Sequence, residues 1–381
     1  MDQWDKIGSI QTIIRGAQPE WISPAAPLIL LPQQQPRQFR GTLEQEKEYM
    51  NQLEKELSSG VVKEMDNVQV YNPTFLVPRQ DGQLRKILDC RKINLLTQLT
   101  HFKMYGPEEL RQILQESNYA TILDIKNAFY HVRVSPNLQP FQRFQFKKKA
   151  YTYLGLPFCW RRSPLLFSRT LSIAIRSIRE KWNVKIQNYM DNKIFVNQSK
   201  QQHKQLNQKN ITFISNRSRR LSPTKCVTIP KKCFQYLSWS FQTQSIEVTM
   251  TQTRRRSMKH NLKDWFQMTN ESQIVTIRSL DQKIGEINYL RFQFPKISLW
   301  MNAINNLKTR AIAKGGWDAS VKLYKQILGN LWTILILIKQ IKLRQVKDRT
   351  PDLILQTHAN KNGRSQLCKT SNGKQWTLIN G

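Results

Sequence analysis

Apolar positions recur at close to helical spacing between Thr42 and Gly60, where Leu43, Tyr49, Met50, Leu53 and Leu57 share one face, and this predicts an amphipathic helix. Thr42 with Gln45 has the form of a capping box, and Gly60 supplies a stop. The period then changes. Residues 72–78 and 84–91 read as strands, with Asp81-Gly82 between them as a hairpin turn. Tyr105-Gly106-Pro107 opens a helix expected to run to about Ser117, with Pro107 in its first turn. Thr121-Ile122-Leu123 is strand-like and ends on Asp124. Residues 141–146 alternate with period two, Lys147-Lys148-Lys149 turns the chain, and 151–154 returns. Ser163 as N-cap and Pro164 at the first helical position start a further helix whose apolar face is Leu165, Phe167, Leu171 and Ile175.

Residues 187–196 set Asp191-Asn192 between two runs of β-formers, which predicts a hairpin with a carboxylate displayed at its tip. Such a pair is also ordinary turn chemistry. It gains weight beside Asp124, because two carboxylates, each at the end of an apolar strand, suit convergence on a divalent metal. From 245 to 345 helical faces alternate with basic surface. Aromatics there, such as Trp265, Phe266, Trp300 and Trp332, read as core or as stacking platforms. Residues 331–338 are too short to span a bilayer and read as a buried helix. Residues 1–40, with Pro24, Pro27, Pro32 and Pro36 around Gln33-Gln34-Gln35, read as an extended lead-in.

Charge narrows the partner. The 381 residues carry 60 Lys and Arg against 26 Asp and Glu, a net +34 spread along the chain. Such an excess favours a polyanion, nucleic acid before a membrane surface. Arg79, Arg85, Lys86 and Arg91 are expected on the rim of the 72–91 hairpin, either as a solvated face or as a grip on a triphosphate or template backbone. The five cysteines are scattered without CxxC spacing, so no zinc site or disulfide framework is suggested. An intracellular setting, cytoplasmic and/or nuclear, is the expectation, with no membrane partner.

These motifs in this order resemble the reverse transcriptases. Leu123-Asp124-Ile125-Lys126-Asn127-Ala128-Phe129 is similar to the first catalytic motif of the palm. Leu156-Pro157-Phe158 through Ser163-Pro164 is similar to the template and nucleotide loop, and Tyr189-Met190-Asp191-Asn192 to the Tyr-Met-Asp-Asp box. More narrowly, His101-Phe102-Lys103-Met104, Ile277-Arg278-Ser279-Leu280 through Gly285, and Trp317-Asp318 resemble tyrosine-recombinase retrotransposons of the DIRS type. The likeness implies an α+β right-hand polymerase. Fingers and an antiparallel palm sheet would occupy 42–242, after a lead-in at 1–41. A mostly helical basic thumb and connection would fill 243–348, and a truncated ribonuclease H-like start 349–381. The implied activity is RNA-directed DNA synthesis with an RNA template, a DNA primer and dNTPs. By the same likeness Asp124 and Asp191 would hold two Mg²⁺ (or Mn²⁺) ions, and Lys225 would act near the pyrophosphate as a general acid. Arg79, Arg85, Phe129 and Phe158 would bind the nucleotide, Phe129 as the steric gate under the sugar. Arg91, Tyr189, Met190 and the primer-grip residues Tyr236, Leu237 and Trp239 would contact nucleic acid.

Departures from the family pattern are part of the reading. Asn192 stands where the second Asp of the box is expected, which keeps shape but removes a charge from a site that must neutralise a cation. Asn127 replaces a usual Asp; Cys159 and Ser238 replace glycines, whose missing Cβ lets a backbone approach closely. Residues 355–363 resemble the first ribonuclease H strand, with His358 in place of its first catalytic Asp, and a working ribonuclease H is not expected from this chain. Impaired polymerase activity follows, the alternative being an inactive remnant that only binds nucleic acid.

Overall fold

In the computed structural model, the described residues are 11–31, 38–66, 70–79, 82–215 and 221–346, with backbone alone for strands at 353–360, 363–370 and 375–380. Asp81 and the Gln33-Gln34-Gln35 triplet lie outside them. The chain divides into two units, Met1–Leu237 and Ser238–Gly381.

In the first unit the local signals hold. Helix α1 (Leu43–Ser58) starts where Thr42 Oγ1 accepts from the Gln45 N–H at 3.2 Å and Gln45 Oε1 accepts from the Thr42 N–H at 3.0 Å. Both first-turn donors are thereby satisfied. Past its end, Gly60 takes φ +67°. Strand β1 (Val62–Met65) follows, then β2 (Thr74–Pro78) and β3 (Leu84–Leu88), which pair as an antiparallel hairpin. Helix α2 (Pro107–Ile113) is shorter than its sequence pattern suggested. The Asn118 side chain accepts from the Gln115 N–H at 2.8 Å and Ser117 takes φ +58°. That local turn competes with further helix.

Strand β4 (Tyr119–Asp124) is buried from Ala120 to its end. After it, β5 (Arg143–Phe146) and β6 (Lys149–Tyr153) join β1 in a sheet ordered β1-β6-β5, with Lys147 and Lys148 at positive φ in the turn. Helix α3 (Ser163–Trp182) begins one residue differently from expectation. Arg162 is the N-cap, while the Ser163 hydroxyl donates to the Pro157 carbonyl at 2.7 Å and so is spent on the preceding loop. Then come β7 (Lys185–Tyr189), β8 (Asn192–Asn197), α4 (Lys200–Ser215), β9 (Val227–Lys231) and β10 (Cys233–Tyr236). The central sheet runs β7-β8-β4-β9, every pair antiparallel. α3 packs on β7, and α4 on β4, β8 and β9. Leu165, Leu166, Phe167, Leu171 and Ile175 of α3 are buried in this layer. At about 1.5–3 kcal/mol for each fully buried large apolar side chain, that face rather than helix propensity stabilises α3.

The lead-in is more than a spacer. Ala17 donates to the Arg133 carbonyl at 2.7 Å and accepts from the Ser135 N–H at 3.1 Å. Further on, Gln98 donates to the Glu20 carbonyl and Ile22 to that of Leu96, and the buried guanidinium of Arg162 pairs with Glu20. Nor is it extended throughout as expected: two short helices form, Gln11–Arg15 and Ala26–Leu30, the second with Pro27 in its first turn, where a missing N–H costs nothing.

In the second unit, β11 (Trp239–Gln242), β12 (Glu247–Met250) and a short β15 (Arg344–Gln345) form one sheet. Between them run α5 (Gln252–Asn270), β13 (Ile274–Thr276), α6 (Ile277–Asn288), α7 (Ser298–Gly315), β14 (Ser320–Lys322) and α8 (Leu328–Lys339). α8 buries Leu331, Ile334, Leu335 and Ile338, matching the apolar run expected there, while Trp332 lies at its surface beside Phe266. Arg255 of α5 donates to the Ile338 carbonyl at 2.9 Å, a cation on the free carbonyls at the end of α8. Strands β16 (Leu353–Asn360), β17 (Gly363–Thr370) and β18 (Gln375–Asn380) make an antiparallel meander in which His358 pairs with Ser365. No helix among the described residues is long and apolar enough to cross a membrane.

Candidate active site

The ladder between β4 and β8 sets Asp124 directly opposite Asn192. Side chains at such a pair share a face of the sheet. On the other side of β8, Tyr189 pairs with Asn192, which leaves Met190 and Asp191 as a two-residue turn with Met190 at φ +51°. The main-chain oxygen of Asp191 accepts from the Ile125 N–H at 2.9 Å and from Lys193 Nζ at 2.8 Å. These two bonds hold the turn beside the end of β4, so the sequence-predicted carboxylates are brought to one place.

Asp124 is buried, at 4% exposure, whereas Asp191 is half-exposed. Burial, then the Asp191 charge, raises the Asp124 carboxyl above its ordinary range, and Lys225 and Lys193 pull it back. A carboxyl whose charge is disfavoured by burial and by a second carboxylate beside it is a natural place for a hard cation. Asn192 Nδ2 donates to Asp191 Oδ1 at 3.3 Å. Among the described residues no three Asp, Glu, His or Cys side chains cluster as they would in a fully protein-ligated metal site.

The loop that follows α4 is tied to the same strand. Ser222 donates its N–H to the Asp124 carbonyl at 2.8 Å, and the Lys225 N–H reaches the Ser222 carbonyl at 3.3 Å. Lys225 is exposed and bears on Asp124 through its charge. The Tyr236 ring is buried with its hydroxyl 3.5 Å from the Asn192 carbonyl, and Leu237, half-buried, takes φ +50°. Trp239 lies in the core of the second unit instead of on a surface: it is fully buried, with ring contacts at 4.9 Å to both Tyr289 and Phe292.

A line of rings and one cation makes up the proposed nucleotide face. The Arg85 guanidinium lies 4.8 Å from the centre of the Phe158 ring, and Phe129 lies 5.5 Å from Phe158 and 5.7 Å from Phe167. Phe158 is exposed and Phe129 half-buried. Arg79 closes the mouth of the β2–β3 hairpin, its N–H donating to the Gln83 carbonyl at 2.7 Å. Arg91 is exposed and engaged with Asp89, which accepts from its Nε at 2.9 Å and its Nη2 at 2.6 Å.

Lys86 does not stand on the hairpin rim as expected. Its side chain is fully buried against Glu56, on the side of β3 that packs on α1, while Ile87 and Leu88 beside it are buried too. Asn127 takes φ +52°, a left-handed conformation that asparagine accepts better than most residues, so its presence suits the turn after β4. Cys159 is not among the positive-φ residues, and the glycine it replaces leaves no backbone strain; Ser238, at φ +62°, does occupy a glycine-like conformation. Sequence reasoning passed over Glu56, Tyr130 and Lys193. Only Lys193 left a signal, a lone charge opening the apolar run Ile194-Phe195-Val196.

Residues 77–241 match the family model described as reverse transcriptase (RNA-dependent DNA polymerase). Among curated proteins, the Tf2-7 and Tf2-3 transposon polyproteins of Schizosaccharomyces pombe (strain 972) are each 23% identical over 260 residues, covering 68% of this chain and 18% of the polyprotein. The chain therefore spans under a fifth of the length of these relatives. Among solved structures, the foamy viral protease-reverse transcriptase in complex with dsDNA gives a TM-score of 0.65 at 18% identity, covering 96% of this chain and 72% of that one. The same enzyme in complex with an RNA/DNA hybrid gives 0.62 at 16%, covering 100% and 49%. These likenesses establish the fold.

Proposed function

We propose, from the match of residues 77–241 to a reverse transcriptase family model and the likeness to transposon polyproteins, that the chain is an RNA-directed DNA polymerase weakened by Asn192. The observation that supports this most is the pairing of β4 with β8, which sets Asp124 beside the Asp191 turn. The two carboxylates suit a divalent cation, since each is a hard oxygen donor and the Asp191 charge already perturbs Asp124. Mg²⁺ or Mn²⁺ at Asp124 and Asp191, two ions in the family's scheme, would make the primer hydroxyl more acidic and neutralise the departing pyrophosphate.

The reaction is an in-line displacement. The primer 3′-oxygen forms a bond to the α-phosphorus of a dNTP, the bond to pyrophosphate breaks, and the hydroxyl proton leaves to solvent. Lys225 would give a proton to the leaving pyrophosphate. Arg85 and Arg79 would hold the triphosphate, for which a guanidinium fork is suited. Phe129 would lie beneath the sugar and exclude a 2′-hydroxyl. The net charge of +34 favours a primer–template duplex as partner.

A second reading, a silent remnant that binds the duplex without extending it, is favoured by the Asn192 amide. By donating to Asp191 Oδ1 it uses a lone pair that a cation needs, and it contributes no charge. Primer extension on oligo-dT:poly-rA, with Mg²⁺ and then Mn²⁺, separates the two. Weak extension that Asp124→Asn abolishes and Asn192→Asp raises supports the polymerase; no extension in any variant, with salt-sensitive duplex binding, supports the remnant.

A further inference from the structure

Lys193 is fully buried, yet it sits one residue from the Asn192 that faces Asp124. Because side chains alternate along a strand, Asn192 faces the site and Lys193 the layer of α3 behind it. Its Nζ is 2.8 Å from the Asp191 carbonyl oxygen and 6.0 Å from the centre of the Phe167 ring. Burying an ammonium is costly without compensating charge. Lys193 acts electrostatically on Asp124, as Lys225 does. The site therefore carries two carboxylates, Asp124 and Asp191, and two lysines, and its formal charge is zero before any metal arrives.

Building on the polymerase reading, the geometry points to Lys193 as an internal counter-cation of the Asp124–Asp191 pair, one that competes with divalent metal for their charge. Asn192 leaves the pair without a third carboxylate, and Lys193 offsets one of the two that remain. The same charge explains the tolerated burial: the carboxylates that a metal would use stabilise the ammonium beneath them. Lys193 cannot swing aside to yield its place, because its ammonium is enclosed and bonded to the turn. It is a positioning and charge-setting residue, since it faces away from the reacting atoms.

The test is titration of the full chain with Mn²⁺ followed by electron paramagnetic resonance, which reads free ion and needs no turnover. Lys193→Met keeps an apolar stem of similar length; Lys193→Gln is the second neutral variant, and circular dichroism with thermal unfolding checks that each folds. Removing the charge is expected to tighten Mn²⁺ binding by about tenfold or more. The tightening disappears when Asp124→Asn is added. Binding that Asp124→Asn removes but that neither Lys193 variant tightens overturns the role of Lys193 and leaves the polymerase reading standing. No saturable binding in any folded variant overturns both.

Discussion

The Lys86 ammonium meets the Glu56 carboxylate inside a cage of aromatic rings, with the centres of Phe144, Tyr49 and Tyr153 at 4.3, 5.3 and 5.3 Å. Glu56 also accepts from the Tyr130 hydroxyl at 3.0 Å. The neighbours in sequence are Arg85, which lies over Phe158, and Phe129, which packs against that same ring. One buried ion pair thus joins the β2–β3 hairpin, α1 and the turn after β4. Burial pushes the Lys86 ammonium below its ordinary range, and the Glu56 charge opposes this.

The pair is expected to be asymmetric toward mutation. Glu56→Gln leaves a buried ammonium without an anion, a loss of about 3–5 kcal/mol by the behaviour of broken buried pairs. Lys86→Met costs less, because Glu56 keeps the Tyr130 hydroxyl and is 12% exposed to water. The double variant should recover most of the loss. Urea unfolding of the four proteins measures this, and strictly additive losses would show that the pair is not a unit.

His203 predicts an acid-sensitive sheet. Its Nε2 lies 3.0 Å from Thr121 Oγ1 of β4, and burial pushes its pKa from 6.5 down to about 4. Between those values the unfolded chain takes up a proton that the folded chain refuses. The stabilisation from neutral His203 is full above 6.5 and is lost as pH falls through this window toward about 4. Thermal unfolding against pH should therefore steepen across that range, and His203→Gln should flatten the curve; an unchanged profile would remove His203 as its cause.

What the sequence disclosed was local. The Thr42–Gln45 cap and the pairing of the two hairpins depend on neighbours a few residues apart and do form. The second turn, however, is Met190-Asp191 with Asn192 already in its strand, and the strand read over 84–91 stops at Leu88 before a helix over Arg91–Leu96. Lys86 looked like one more exposed rim cation, because nothing within five residues of it reports Glu56 or the three rings. Ala17 and Glu20 were hidden in a proline-rich lead-in for the same reason: their partners are Arg133, Ser135, Gln98 and Arg162. Burial of a charge is decided by tertiary partners, which a single sequence does not display.

Arg85 should act on nucleotide affinity more than on turnover. Lysine in its place keeps the charge but loses the planar stack on Phe158 and the fork that matches phosphate. In an Asn192→Asp background, Arg85→Lys is expected to raise KM for dNTP by about 3- to 30-fold, equivalent to roughly 0.5–2 kcal/mol of lost cation–π contact. Steady-state primer extension reads the split. A fall in kcat with KM unchanged would move Arg85 from binding to the chemical step.

Phe129 carries the choice of sugar if the nucleotide lies on its ring. The ring is wedged between Phe158 and Phe167, at 5.5 and 5.7 Å, so its position is fixed by packing before any nucleotide arrives. Rejection of one added hydroxyl by an apolar surface reaches about 100-fold. Phe129→Val keeps part of that packing while opening space beneath the sugar. In the Asn192→Asp background it should raise kcat/KM for a ribonucleotide relative to the deoxynucleotide by up to about that factor. Extension with dTTP should change little, which distinguishes a lost gate from a damaged fold. Equal losses on both nucleotides would mean that Phe129 supports the site from within and that discrimination resides elsewhere.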